Sequence, residues 1–285
     1  MEGEVYGYDE SFNKVAMTPN DNLLTNSDFK SGIINQKGQT SYVGNGSNNF
    51  YTIDMWYATK NVTVTVHDGY VNFKNNSTET NYVIQILNEQ IDENYCSAVN
   101  VKSIVGTCFL RTQNKDFTKL HEDLNLVKGL NIISFNGAVE RTGIYLEANA
   151  SIDIEYMKLE KGKYFTGMKE WNYGVEFLKC AHIYMNFYGQ PVKRVGFIGT
   201  SMAYITYELP TIMVEDISCV IRPNTNMIWQ TDNTASPKNT TITSAQVIAK
   251  QGNAITVQFN GEFGNSSWRV CYVTGVGIEL DGYQY

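Results

Sequence analysis

The stretch from Tyr156 to Gly189, YMKLEKGKYFTGMKEWNYGVEFLKCAHIYMNFYG, has helical apolar spacing, and strand-like runs flank it on both sides. Within it, residues 169–187 carry one apolar stripe whose members are spaced alternately by three and four residues. The stripe consists of Trp171, Gly174, Leu178, Ala181 and Met185. An isolated helix of this length is marginal in water. We therefore expect the stripe to pack either on a neighbouring domain or on copies of itself, as the seam of a trimer.

The composition favours β-structure in the rest of the chain. Charged residues make up 18% of the 285 residues, whereas the chain contains 19 Tyr and 13 Phe, which are strand-building residues. A chain of this length can form two ordinary domains, each with its own core.

Residues 61–73, NVTVTVHDGYVNF, show the strand pattern clearly. Val62, Val64 and Val66 alternate with polar residues, and the following His-Asp-Gly turns the chain into a second run. Similar runs recur before and after the helical stretch, separated by Gly, Asn and Asp. Because helical segments do not alternate with these runs, a parallel α/β fold is not expected.

These patterns predict an all-β fold made of two antiparallel β-sandwiches, the first jelly-roll-like, joined by one α-helix. The predicted segments are an N-terminal arm at 1–20, the jelly-roll sandwich at 21–165, the linking helix at 166–189 and a C-terminal sandwich at 190–285.

Charge and hydropathy exclude several classes of partner. The net charge is −7 and no Lys or Arg cluster is present, so nucleic acid is not an expected partner. No run approaches the roughly 20 apolar residues of a membrane span, and the acidic start lacks a signal-peptide pattern, so we expect neither membrane insertion nor export by a signal peptide. The five cysteines show no metal-ligand spacing and are interpreted as buried, reduced thiols.

Four stretches together resemble a family of bacteriophage and prophage tail or tail-fibre proteins. NLLTNSDFKSGIINQKGQTSY (residues 22–42), followed by YTIDMWYA (51–58), is similar to the start of that family's jelly roll. YMKLEKGKYFTGM is similar to the last strand of the jelly roll, and residues 176–184 resemble the helix that follows. The resemblance covers residues 22–188, but Lys37 stands where arginine is common, and Ala181-His182 replaces the usual Gln-Arg.

The resemblance implies a structural virion protein on the tail or another surface appendage, made in the cytoplasm of a bacterial host. It further implies a homotrimer whose N-terminal arm contacts other tail proteins. The carbohydrate-module-like jelly roll would be followed by a distal portion, residues 190–285, that binds a bacterial surface glycan or protein.

The sequence shows no local signature of catalysis. The three histidines lie in different elements, and adjacent acidic pairs such as Asp92-Glu93 are typical of solvated turns. We expect no catalytic residues, no cofactor and no metal site. A calcium site around Asp54 or Asp68 is the alternative to that last expectation.

Aromatic residues provide the candidate ligand-binding positions. Trp56 and Trp171 are interpreted as packing residues, whereas Trp229 and Trp268 lie nearer to loops rich in polar residues. Tyr204 and Tyr207, which are expected to share one strand face with each other, are the companions of these two tryptophans. These four residues are the predicted ligand contacts.

The leading hypothesis is a non-enzymatic tail or fibre subunit that attaches the particle to the bacterial surface. One alternative is a glycan-binding or glycan-hydrolysing module, in which the first sandwich binds sugar. A second alternative is a purely structural decoration or adaptor protein of the particle.

Overall fold

A computed structural model describes residues 6–8, 14–16, 19–87, 92–187, 194–213, 217–221, 226–230, 237–264, 269–274 and 278–281. The chain divides into two compact units, Met1–Glu176 and Phe177–Tyr285. The described elements are antiparallel strands and one helix. The all-β prediction is therefore confirmed.

The strands of the first unit are given in chain order: β1 Tyr6–Tyr8, β2 Lys14–Ala16, β3 Ser41–Val43, β4 Phe50–Tyr51, β5 Tyr57–Ala58, β6 Val62–His67, β7 Tyr70–Asn75, β8 Asn81–Ile86, β9 Asp92–Val105, β10 Cys108–Gln113, β11 Leu124–Asn125, β12 Gly129–Ala138, β13 Arg141–Leu146 and β14 Ser151–Lys161. Strands β1 and β2 pair within the predicted arm. The predicted hairpin at residues 61–73 is confirmed as β6 and β7.

The remaining twelve strands form two six-stranded sheets. Sheet I has the order β12-β9-β14-β7-β6-β3, and sheet II has the order β11-β10-β13-β8-β5-β4. From β7 to β14 the chain passes between the sheets in the order of two Greek keys, so that β7-β14-β9-β12 faces β8-β13-β10-β11. This is the strand order of a jelly roll, and the predicted jelly-roll-like sandwich is confirmed.

The core between the sheets contains the residues on which the family resemblance rests. Leu24, Phe29 and Trp56 are buried in it, and the Phe29 and Trp56 rings lie 5.6 Å apart. The Trp56 indole Nε1 donates to the Asn26 carbonyl at 2.8 Å. The Asn22 side chain accepts from Leu159 N at 3.0 Å and so joins the start of the domain to β14. These motif residues are framework residues.

The helix is shorter than predicted. Helix α1 spans Tyr173–Ala181, and the chain is extended again at β15, Tyr184–Asn186. Asn172 starts the helix because its Oδ1 accepts from Val175 N at 3.1 Å, as an N-cap residue does. The following Tyr-Met-Asn run, residues 184–186, pairs with another strand of the second unit instead of prolonging the helix. Tertiary pairing therefore overrides the helical spacing there.

The second unit contains the remaining strands: β15, β16 Arg194–Ile198, β17 Met202–Glu208, β18 Ser218–Val220, β19 Asn226–Gln230, β20 Lys238–Gln251, β21 Ala254–Gly261, β22 Arg269–Thr274 and β23 Glu279–Asp281. Strands β15, β23 and β18 form a three-stranded sheet, and the order β16-β17-β21-β20-β19-β22 closes into a barrel. The predicted C-terminal sandwich is thus a closed barrel with a small additional sheet. Closure occurs because β22 pairs with both β16 and β19.

Among the described residues, no helix is long and apolar enough to cross a membrane. None of the five cysteines is in a disulfide; four are buried and Cys219 is half-buried.

Candidate functional site

The outer surface of sheet II carries large side chains where a sandwich surface is usually polar. In β8, β10 and β13, alternate residues such as Val83, Leu110 and Ile144 point into the core. The residues between them form a second apolar cluster with members on four strands of the sheet. We call this cluster the aromatic face; it consists of Tyr57, Tyr82, Ile84, Ile86, Phe109 and Tyr145.

Strand register arranges the aromatic face in rows. Tyr145 lies opposite Phe109 on one side and Tyr82 on the other. Its ring is stacked with Phe109 at a centroid distance of 5.5 Å and lies 5.2 Å from Tyr82. Tyr57 lies opposite Ile84 in the next row and packs at 5.0 Å on Tyr51 of the neighbouring strand. The three-ring row and the Tyr57–Tyr51 pair lie on the same surface of sheet II, with Ile84 between them. Tyr51, Tyr57 and Tyr82 are half-exposed, whereas Phe109, Tyr145 and Ile84 are at most 7% exposed.

Gly143 lies in the second row, between Arg111 and Ile84. A Cβ atom at this position would be 2.2 Å from the Val83 carbonyl oxygen, so the close approach of β13 and β8 requires glycine. The space of the missing side chain is occupied by the backbone of β8 and by the Ile84 side chain.

Arg111 stands over the aromatic row and is paired with Asp123. Its guanidinium lies 4.3 Å from the centroid of the Tyr145 ring and binds Asp123 through two hydrogen bonds of 2.8 and 2.7 Å. These bonds hold the pKa of Asp123 at about 2 and raise the pKa of Arg111. Asp123 also accepts from Lys119 at 2.6 Å. This carboxylate is ionised at neutral pH and is poorly suited to donate a proton.

The pKa values of Tyr82 and Tyr145 depend on burial and on the charges on this surface. Burial raises the pKa of both phenols, while Arg141 lowers the pKa of each. The Tyr145 hydroxyl donates to Gln113 Oε1 at 2.8 Å. The hydroxyls therefore remain neutral hydrogen-bonding groups at neutral pH.

Arg141 lies at the far end of the face beneath the loop between β10 and β11. Its guanidinium is 3.9 Å from the centroid of the Phe117 ring, which is 63% exposed. Phe117 has φ +63°, a left-handed conformation that is unfavourable for a bulky residue. Asn114 holds this turn by accepting from Thr118 N at 2.9 Å, and Gln113 Nε2 donates to the Phe117 carbonyl at 2.7 Å.

The outer surface of sheet I has a different composition. Asp153 accepts from Asn72 at 2.7 Å and is also bonded by Ser103, and Asn100 donates to Glu155 at 2.7 Å. At the other end of sheet I, residues 162–168 fold back over the outer surface. Phe165 of this segment packs on Cys96, Ala98 and Ile132 and forms a small apolar cluster with them.

This covering segment is tied to sheet I by a buried ion pair. Lys158 Nζ lies 3.0 Å from Glu160 Oε2, and both side chains are at most 1% exposed. Lys158 also donates to Thr166 Oγ1 at 2.9 Å, and Glu160 accepts from Thr166 N at 2.8 Å. Burial lowers the pKa of Lys158, and its pairing with Glu160 opposes that effect.

The structure does not bring the predicted ligand contacts together. Trp229 is buried inside the barrel, where it donates to Thr240 Oγ1 at 3.1 Å and packs on Phe263. Tyr207 is also buried in that core, whereas Tyr204 is half-buried on the outer surface. A spacing of three residues places side chains on opposite faces of a strand, so the expected common face for these tyrosines is wrong. Trp268 lies outside the described residues.

Tyr204 belongs to an apolar row on the outside of the barrel. Phe197 lies opposite Tyr204 on one side and Val270 on the other. Phe197 and Val270 are each 56% exposed.

The five residues of the predicted oligomer seam do not share one helical stripe. Trp171 precedes the helix and packs close to Gly32, while Met185 lies in β15. Ala181 and Met185 are buried in the core of the second unit, whereas Gly174 and Leu178 are exposed on α1. The trimer remains a prediction.

In the part of the chain that the structure describes, no group of three or more His, Cys, Asp or Glu side chains is placed to hold a metal ion. Asp54 is buried, and its carboxylate accepts from Gln36 N at 3.1 Å and from Gln36 Nε2 at 2.7 Å. Burial raises the pKa of Asp54 to about 6. Asp68 lies exposed in the turn between β6 and β7.

Sequence reasoning missed the aromatic face, although a signal was present. The strands NYVIQI (81–86) and CFLRTQ (108–113) carry large apolar residues at both odd and even positions. A strand with one solvated face alternates apolar and polar residues. Apolar residues on both faces, in a sandwich with only two layers, indicate an outer surface with a further role.

Comparisons with known proteins assign no family. No family model matches the chain, and no curated protein matches it. Three solved structures have weak similarity, each with a TM-score of 0.29: an agarase, AgWH50C (11% identity, 44% of this chain), PfGH50B (9%, 44%) and an exo-beta-agarase (6%, 50%). The aligned parts make up 25%, 27% and 25% of those chains, so this chain corresponds to about a quarter of their length. A TM-score this low does not extend their activity to this chain.

Proposed function

We propose that this chain is a non-catalytic glycan-binding protein whose ligand lies across the aromatic face. The observation that carries the proposal is the cluster of aromatic and aliphatic side chains on the outside of sheet II, whose Tyr57 and Tyr82 rings are half-exposed, with Arg111, Gln113 and Asp123 around it. Binding sites for small molecules and sugars combine aromatic walls with a few fixed polar groups. The face has both components.

The chemistry of a sugar ring fits this arrangement. A pyranose presents C–H groups on its faces and hydroxyls around its rim, so a tyrosine ring can pack against the apolar part. Single contacts of this kind are weak, and many copies on one particle increase the total affinity through avidity.

We further propose that the protein serves in attachment, as a tail or fibre subunit that holds a phage particle to the bacterial surface. The support for this role is the resemblance of residues 22–188 to tail and tail-fibre proteins. The proposal places one glycan contact on the first unit, whereas the resemblance alone assigns receptor binding to residues 190–285. A trimer would present three aromatic faces and raise avidity.

The test is binding of the purified full-length chain to immobilised, multivalent bacterial and algal polysaccharides. Tyr82→Ala removes a half-exposed ring from the aromatic face, and we expect at least a tenfold loss of affinity. Tyr70→Ala is the matched control, because Tyr70 is a half-buried ring on the outer surface of sheet I, stacked on His67. Unfolding temperatures of both variants verify that they are folded.

Two outcomes contradict the proposal. Equal losses for Tyr82→Ala and Tyr70→Ala would show that the aromatic face is not the site. Release of reducing ends from a bound polysaccharide would show a hydrolase instead of a binding protein. Competition of phage adsorption by the purified protein separates attachment from a purely structural role on the particle.

A further inference from the structure

Arg141 and Arg111 lie on the same outer surface but differ in their pairing. Arg111 donates two hydrogen bonds to Asp123. Arg141 Nε is buried without a hydrogen-bond partner among the described residues, and Arg141 Nη2 lies 3.7 Å from Glu140 Oε1, beyond hydrogen-bond length. A buried donor without a partner costs free energy, so its presence calls for an explanation.

The surroundings hold Arg141 in place without using its hydrogen bonds. Its side chain is only 16% exposed, because the Phe117 ring covers the guanidinium. Stacking occupies the flat face of a guanidinium and leaves the N–H groups at its rim for in-plane acceptors. The covering ring is held in an unfavourable backbone conformation by Asn114 and Gln113. Strained residues of this kind are concentrated at binding sites.

Arg141 also continues the aromatic face. It lies opposite Ile86 on one side and Gln113 on the other. It is four residues from Tyr145 along β13, a separation of about 13 Å for an extended strand. A ligand that extends along the face from the Tyr145 row to the Arg141 row passes over the row of Arg111, Gly143 and Ile84 between them.

We propose that the aromatic face binds an acidic oligosaccharide and that Arg141 receives a carboxylate of one of its sugar units. This inference rests on the proposed glycan-binding function. A carboxylate matches the planar fork of a guanidinium and accepts two parallel hydrogen bonds. The remaining sugar rings lie over the half-exposed Tyr82, and Phe117 keeps the guanidinium oriented toward the ligand.

The experiment compares polygalacturonate with its fully methyl-esterified form, which has the same backbone without the charge. Affinities of the full-length chain for both immobilised polymers are measured at low and moderate salt. We expect the wild type to prefer the acid at least tenfold and Arg141→Gln to abolish that preference. Arg141→Lys, which keeps the charge but loses the fork, should restore only part of it.

Lys102→Gln is the matched control. Lys102 is also a cation stacked on an aromatic ring, 3.7 Å from the centroid of Tyr70, but on the outer surface of sheet I. This variant should retain the full preference for the acid. Dextran sulfate and dextran form a second pair of probes, which distinguishes a carboxylate site from a site for sulfate.

Three results would overturn the inference. If the wild type binds acid and ester equally while Tyr82→Ala weakens both, the glycan site stands and the carboxylate is excluded. If Lys102→Gln loses as much as Arg141→Gln, binding is a general attraction to polyanions. If no charged or neutral polysaccharide binds, the proposed function fails and the inference fails with it.

Discussion

The outer surfaces of sheets I and II belong to one sandwich, but they differ in how their side chains are hydrogen-bonded and covered by other residues of the chain. On sheet I, polar side chains such as Asn72 and Asp153 bond to each other, and residues 162–168 cover the apolar end. On sheet II, the apolar side chains pack on one another and on Arg111, and several remain half-exposed. The covered end and the paired polar groups of sheet I fit a stabilising role, whereas sheet II is the surface on which we propose the glycan site.

The largest expected effect tests the stabilising role of sheet I. Lys158→Met leaves the Glu160 carboxylate buried without its cation and should lower the free energy of unfolding by about 3–5 kcal/mol. Lys161→Met is the control on the same strand, because the Lys161–Glu93 pair is much more exposed. Lys161→Met should lower the free energy of unfolding by at most about 1 kcal/mol. Urea unfolding gives both values.

The same variant also tests whether the outer surfaces of sheets I and II act independently. Folded Lys158→Met protein should bind glycan like the wild type, because residues 162–168 cover sheet I and not sheet II. A loss of glycan affinity in the folded variant would mean that the two surfaces are not separate in function. Equal destabilisation by Lys158→Met and Lys161→Met would contradict the structural role of the buried pair.

A second prediction concerns the pH dependence of the free energy of unfolding. Asp54 is buried in the hairpin that carries Tyr51 and Tyr57. A carboxyl whose pKa is raised on folding stabilises the fold when protonated, and that stability is lost as the pH rises from about 4 to about 6. The loss amounts to about 3 kcal/mol, at about 1.4 kcal/mol per pH unit. Asp54→Asn should remove it.

Unfolding free energies at pH 4, 5, 6 and 7 measure this effect. The value for Asp54→Asn minus the value for the wild type should increase through that range and stay level above it. An unchanged difference would show that Asp54 titrates normally in the folded protein.

The smallest expected effect concerns Phe117. Phe117→Gly and Phe117→Ala both remove the ring from Arg141, but only glycine adopts a positive φ without strain. We expect the glycine variant to be more stable than the alanine variant by about 1 kcal/mol. Their thermal unfolding temperatures, compared directly, report this difference, and equal temperatures would argue against strain at this turn.

The sequence predicts the β-class and the jelly roll because these depend on periodicity. Alternation at Val62, Val64 and Val66 places those side chains to one side of a strand, and the turn residues between runs set the strand order. The motif residues Asn22, Asn26 and Trp56 are internal contacts, which is why the resemblance indicates a fold more directly than a ligand.

Other features depend on contacts distant in sequence and were mispredicted. Residues Tyr184 and Met185 fit a helical spacing, but pairing with β23 makes them a strand. Nothing in the local pattern distinguishes a closed barrel from a sandwich, because closure depends on β22 meeting β16 and β19. Trp229 has loop-like neighbours in sequence, yet alternation in β19 directs its indole inward.

The closed barrel has a consequence for chains that are concentrated on one surface. Within its described strands, β16 and β22 pair with each other, so the ring presents no row of unpaired backbone N–H and C=O groups on which a neighbouring copy could add a strand. Crowded copies can therefore touch through barrel walls without merging into a continuous sheet. The outermost sandwich strands, such as β3 and β12, are where protection against aggregation is still needed.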